Sequence, residues 1–150
     1  MKRNGNLVPL SRDHHFGLLC SWKIHQGIKK NVSYERIKDY INYYWKENLS
    51  RHFEIEDIVL PETENNMFQI QMEKEHTEIR KLINRINQSQ DIKVLEAFAD
   101  ALRSHIRFEE RNYFPHLEEV LSGEKMNDIG HQLERIRHKK DDSYHDEFWK

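Results

Sequence analysis

Four stretches of this chain repeat their apolar residues every three or four positions, and three of those apolar stripes carry a histidine. No other feature constrains the fold as much, because this periodicity marks a helix with one buried face. The first stretch runs from about Pro9 to Lys30, with Ser11 as a candidate N-cap and Gly27 near its end. The second runs from about Tyr34 to Leu60 behind the cap candidate Ser33 and stops at Pro61; its inward face reads Ile37, Ile41, Tyr44, Asn48, His52, Ile55, Val59. The third runs from about Asn66 to Asn87 with the face Phe68, Met72, His76, Ile79, Ile83, Ile86. The fourth follows the cap candidate Asp91 and presents Leu95, Phe98, Leu102, His105, Glu109, Tyr113. Pro115 is expected to break or kink it, since proline removes a helix hydrogen bond and clashes one turn back. A short amphipathic piece from Pro115 to Leu121 ends at Gly123, and a more polar stretch (Met126, Ile129, Leu133, Ile136) leads into the tail from Asp141 to Lys150. Four helices with short connections predict an all-α, up-down-up-down four-helix bundle. No linker divides the chain, so one domain is expected over residues 1–150, with a core bundle at about 10–121 and a short C-terminal helical extension at 122–150.

Composition narrows the function. The 24 Lys and Arg against 26 Asp and Glu give a formal net charge of −2, without the basic excess of a nucleic-acid binder. No apolar run is long enough to span a membrane, and the first ten residues are too short and polar for a secretory signal, so a cytoplasmic location is expected. The single cysteine, Cys20, excludes an internal disulfide framework and a multi-cysteine zinc site, and reads as a small buried hydrophobe. With 5 glycines and 3 prolines the chain is too poor in turn residues for an all-β fold. Histidine stands out, at 10 residues.

Two histidines on apolar stripes are followed one turn later by a glutamate: His52/Glu56 and His105/Glu109. Residues four apart point the same way on a helix, so each pair can hold one ion, and a charge on a buried face is costly unless paired or bound to metal. Chance alone gives about one such spacing in a chain with this many histidines and glutamates. Both pairs, however, continue into a second acid (Asp57, Glu110) and both run into an apolar–proline stop, Leu60-Pro61 and Phe114-Pro115. The requirement for the second acid lowers the chance expectation to roughly 0.2. The antiparallel topology adds to this. His14 and His15 near the start of helix one, His52 and Glu56 near the end of two, His76 early in three, and His105 and Glu109 late in four all fall towards one end of the bundle. His25 lies about 16 Å further along helix one, too far to join them.

These segments together resemble the hemerythrin-like, or HHE cation-binding, family: Leu10-Ser-Arg-Asp-His14-His15, His52-Phe-Glu-Ile-Glu56-Asp57, Glu75-His76-Thr-Glu-Ile79, and His105-Ile-Arg-Phe-Glu109-Glu110 with Tyr113-Phe114-Pro115. The resemblance spans about Leu10 to Leu121 and implies a bundle holding two non-haem iron ions, capped by histidines and bridged by two carboxylates. Carried over position by position, it implies the ligands His14, His52, Glu56, His76, His105 and Glu109, with His15 and Glu110 as the alternatives to His14 and Glu109. Mixed imidazole and carboxylate donors suit iron, with zinc or manganese as substitutes, and six ligands exceed the need of one tetrahedral zinc. A ferritin-like site would need Glu-x-x-His on two helices, and only Glu73-x-x-His76 occurs.

The sequence departs from the oxygen carriers of that family, which place a second histidine one turn before the one on helix three. Here Met72 stands there, which leaves an open position or one for Glu73. The expectation is a di-iron protein that senses or handles oxygen, redox state or iron, with oxygen or nitric oxide as small ligand. The alternative is a di-iron enzyme acting on nitric oxide or peroxide, or in iron–sulfur cluster repair. His25, His116, His131, His138 and His145 read as solvated, and the aromatic tail around Phe148 and Trp149 either docks on the bundle or meets a partner.

Overall fold

A computed structural model describes residues 3–136 and 143–150; His138 and the start of the tail at Asp141 lie outside the described residues. Within them the chain forms five helices and no strand: α1 (Val8–Lys29), α2 (residues 34–59), α3 (Met67–Ile86), α4 (residues 92–120) and α5 (Gly123–Arg135). Helix α2 joins Tyr34–Tyr44 to Ser50–Val59 through a π turn at Trp45–Leu49, and α4 joins Ile92–Phe108 to Phe114–Val120 through a π turn at Glu109–Tyr113.

Two expectations about the helix ends hold and two need correction. Ser33 and Asp91 cap α2 and α4 as their side chains predict, accepting from the backbone of Arg36 and Lys93. Ser11 is not a cap. Helix α1 begins earlier, at Val8, with Pro9 in its first turn, where the ring presets φ and no donor is lost. The Ser11 hydroxyl is free to donate to Glu110 instead (2.7 Å). Pro115 does not end the fourth helix, which runs on to Val120. The π turn before it has already shifted the pattern, with the Phe114 N–H bonded to the Glu109 carbonyl five residues back. Proline cannot serve the next carbonyl, that of Glu110, and the Arg3 guanidinium does so instead at 2.7 Å. Helix α1 ends in a Schellman arrangement. Val32 N–H reaches the Gly27 carbonyl, Asn31 N–H reaches that of Ile28, and Asn31 takes the left-handed conformation at φ 59°.

Side-chain pairs fix the antiparallel order. Along α1 and α4, His14 meets Glu110 and His25 meets Asp100; along α2 and α3, Asp57 meets His76 and Tyr34 meets the Ile86 carbonyl. The apolar stripes bury as the periodicity requires, except that Phe68 and, in the C-terminal stretch, Ile136 are only half-buried. They form two separate clusters. One fills the end where Cys20, Ile24, Ile37, Tyr40, Ile83 and Phe98 meet. The other, around Leu10, Ile55, Met72, Phe114 and Leu117, is closed by Met126, Ile129 and Leu133 of α5. A layer of buried histidine and glutamate lies between them.

The tail docks on the first cluster, burying Phe148 and Trp149. Phe148 lies over Gly27, where a Cβ would come within 2.8 Å of its ring. Lys23 Nζ sits 4.0 Å above the Trp149 ring, and Arg36 holds Asp146 through two hydrogen bonds.

Candidate metal centre

The polar layer brings all six candidate ligands together. His14, His52, Glu56 and Glu109 offer donor atoms within 4.8 Å of one another, and so do Glu56, His76, His105 and Glu109. The two groups share both glutamates, which are fully buried. The imidazoles pair accordingly, with ring centroids 5.3 Å apart for His14 and His52 and 4.9 Å for His76 and His105. His14 is buried and His15 exposed; Glu109 is buried inside the cluster, while Glu110 lies outside it, on the far nitrogen of His14. Glu73 is exposed and stands apart from the cluster.

Every imidazole turns Nε2 inward. His14 Nε2 lies 2.9 Å from Glu109 Oε1, His76 Nε2 lies 3.2 Å from Glu56 Oε1, and His52 Nε2 and His105 Nε2 lie 3.2 and 3.4 Å from the glutamate one turn on. Every Nδ1 turns outward to a carboxylate: His14 to Glu110 (2.7 Å), His52 to Asp13 (2.9 Å), His76 to Asp57 (3.1 Å) and His105 to Glu75 (2.7 Å). Such outer carboxylates fix the tautomer with Nε2 as the donor to an ion and raise the basicity of the ring. Two aromatic faces hold the rings further: Phe53 stacks on His76 at 3.9 Å and Phe114 on His14 at 5.5 Å.

The outer acids form a closed ring around the bundle. Helix α1 supplies the acid for the histidine of α2, α2 for that of α3, α3 for that of α4, and α4 for that of α1. Each acid is the chain neighbour of a cluster residue, and one residue turns a helix by about 100°, enough to aim it at the adjacent helix. The acid precedes its neighbour on α1 and α3 (Asp13, Glu75) and follows it on α2 and α4 (Asp57, Glu110). That alternation is required, because antiparallel helices turn in opposite senses when viewed from one end. The sequence reading used Asp57 and Glu110 as parts of the repeated motif but missed Asp13 and Glu75 as partners; the acid beside each cluster residue is the signal that finds them.

Burial and close charges perturb Glu56, Glu109, His52, His76 and His105. Burial pushes the Glu109 carboxyl well above its usual range, and the charge of Glu56 beside it pushes the same way. Burial also disfavours ionised Glu56, but the His52 charge and hydrogen bonds from Glu109, His52 and His76 outweigh it and hold that carboxyl well below the usual range. Burial opposes a charge on His52, yet Glu56 and Asp13 raise it to about 9. His76 is raised by Asp57 and Glu56 against the same opposition, and His105 is lowered by burial.

The layer remains incompletely satisfied by protein groups alone. His52 Nε2, Glu56 Oε2, His105 Nε2 and Glu109 Oε2 are buried without a hydrogen-bond partner. A buried polar atom left unpaired costs on the order of 1–3 kcal/mol, more when charged. Four such atoms, all imidazole nitrogen or carboxylate oxygen and all in one cluster, fit cations. A cavity of about 10 Å³, close to the space one water needs, lies against His14, His52 and His105 and is otherwise bounded by Asp13, Gly17, Tyr44, Leu49, Phe53, Leu102 and Ile106. It opens on the side facing the first apolar cluster. Met72 is packed into the second.

A fully helical bundle with two metal-type groups sharing two buried glutamates defines a cation-binding helical domain. The family model of the hemerythrin HHE cation binding domain matches residues 16–117, and the chain belongs to that family. His14 lies just outside the matched range and is joined to the cluster by geometry. No curated protein and no solved structure gives a significant match.

Proposed function

We propose that this chain is a non-haem di-iron protein that binds a small oxygen- or nitrogen-containing molecule and so senses or handles oxygen, redox state or iron. The observation that carries the reading is the sharing of Glu56 and Glu109 by two four-residue groups. His14 and His52 would hold one ion, His76 and His105 the other, and the two glutamates would bridge them. Bound there, a pair of iron ions supplies one-electron redox chemistry and positions for an exogenous ligand.

The chain's own residues do the rest. Glu110, Asp13, Asp57 and Glu75 hold each ring with Nε2 inward, so the site is organised before an ion arrives. Glu56 and Glu109, once ionised, would cancel cationic charge in a layer closed to solvent above and below by apolar clusters. The cavity beside His14, His52 and His105 has room for about one water-sized molecule. That size supports small-ligand binding over direct action on an iron–sulfur cluster, which leaves turnover of nitric oxide or peroxide as the enzymatic alternative. Optical spectra of iron-loaded protein with oxygen, azide or nitric oxide test the proposal. A reversible ligand-dependent band supports binding, sustained consumption of the ligand supports the enzyme, and no response to any of them refutes both.

A further inference from the structure

Of the apolar residues that form the second cluster, Tyr113 alone carries a hydroxyl. The residue is 1% exposed, and among the described residues its hydroxyl has no hydrogen-bond partner. An unpaired hydroxyl in such a place costs stability, and phenylalanine would pack the same space without that cost. Packing alone does not account for a tyrosine here.

The layer of the second cluster that adjoins the polar layer takes one residue from each helix, a turn away from a buried histidine or glutamate. These are Leu10 before His14, Leu60 after Glu56, Met72 before His76 and Tyr113 after Glu109. Helical side chains lean towards the N-terminus of their own helix. On α3 that direction leads from Met72 away from His76. On α4 it leads from Tyr113 back towards Glu109 and His105. The thioether thus leans out of the polar layer and the phenol leans into it. The stacking of Phe108 along the phenol, at 6.3 Å, helps to hold that direction. Burial pushes the phenol above its ordinary range, and the charges of Glu56 and Glu109 push the same way. The metal-free protein therefore keeps this proton, whereas a cation held by those carboxylates inverts the effect.

Resting on the di-iron reading above, we propose that Tyr113 is a further metal ligand: its phenolate oxygen coordinates the oxidised ion held by His76 and His105, on the face where Met72 supplies no imidazole. On ligation the phenol O–H bond breaks, an oxygen–iron bond forms and the proton leaves to solvent, since a ligand of this kind must be deprotonated. No electron is transferred. Tyr113 adds an anionic oxygen to those of the two glutamates, which suits a hard ion. It also closes that face to exogenous molecules and leaves them the opposite face, where the cavity lies against His14, His52 and His105.

The test uses full-length protein, iron-loaded and oxidised, as wild type and Tyr113→Phe, with a second wild-type sample grown on ring-deuterated tyrosine. The wild type is expected to show a visible charge-transfer band whose resonance Raman spectrum contains phenolate ring modes. Those modes should move with ring deuteration, a readout that needs no variant, and vanish in Tyr113→Phe. Iron affinity of the variant, by competition with a chelator, should fall by at least the about tenfold that loss of an outer partner costs. The metal-free variant should unfold at the same denaturant concentration as metal-free wild type or a higher one, because the lost hydroxyl had no partner. Phenolate modes absent from wild type that holds two irons, or kept in the variant, overturn the role of Tyr113 and leave the di-iron reading standing. So does a variant that holds iron as tightly as wild type, or one that unfolds more easily than wild type without metal. A wild type that holds fewer than two irons per chain overturns the di-iron reading and this inference with it.

Discussion

Metal-free protein should lose stability as the pH rises from about 6.5 to 9. The cause is His52, which Glu56 and Asp13 raise from 6.5 to about 9 against the effect of burial. The folded chain binds this proton more tightly than the unfolded chain does. The resulting stabilisation is complete below the unfolded value near 6.5 and disappears as the pH climbs through about 9. The difference corresponds to about 3 kcal/mol. For a chain of this size each kcal/mol moves the melting temperature by about 2–4 °C, so a fall of about 10 °C is expected across the interval. His76 and Glu109 are also raised and act in the same direction. Glu56, held low, contributes only in acid, and His105, lowered by burial, costs stability only below about 6.5, so neither masks the trend. Thermal melts of chelator-stripped protein at constant ionic strength between pH 6.5 and 9.5 measure it, with His52→Gln as the comparison. Parallel profiles for wild type and His52→Gln would show that His52 is not the source of the loss. Metal-loaded protein should show the opposite sign at the acid end, because protons displace ions from imidazole and carboxylate.

Removal of either shared carboxylate, in Glu56→Ala or Glu109→Ala, should release most of the metal, while Glu119→Ala on the exposed face of α4 should release none; elemental analysis after desalting reads this directly. Glu75→Gln keeps the shape of the His105 partner but removes its charge, and metal affinity by competition with a chelator should fall about tenfold to a hundredfold. Gly27→Ala forces a methyl against the Phe148 ring and should cost about 1–3 kcal/mol in denaturant unfolding without changing metal content, since the tail docks at the far end of the bundle from the cluster.

Much of the architecture could be read from the chain because burial patterns are local. The spacing of Leu95, Phe98, Leu102, His105, Glu109 and Tyr113 fixes which side of α4 faces inward, and short connections fix the antiparallel order. His52, His76 and His105, with an acid one turn after two of them, were legible for the same reason: polar groups on an apolar stripe have few alternatives to pairing or to metal, while the full set of six was implied by the family resemblance. The choice of His14 over His15 and of Glu109 over Glu110 was open in the sequence, because neighbours in a helix differ only in direction, and direction depends on where the adjacent helix stands. Tertiary packing also hid the π turns. Their extra residue changes the register of Tyr44 relative to His52, and no composition marks it. Pro115, for a related reason, does not break α4, since a proline after a π turn removes less than a proline in a regular helix, and Arg3, distant in sequence, serves the carbonyl it leaves.

The proposed function stands or falls on two ions sharing Glu56 and Glu109 in the polar layer between the two apolar clusters. Metal stoichiometry of protein produced in iron-replete cells decides this. Two metal ions per chain, chiefly iron, are expected, falling together in either glutamate variant. A reproducible single zinc ion per chain, retained when Glu56 or Glu109 is replaced by alanine, would contradict it.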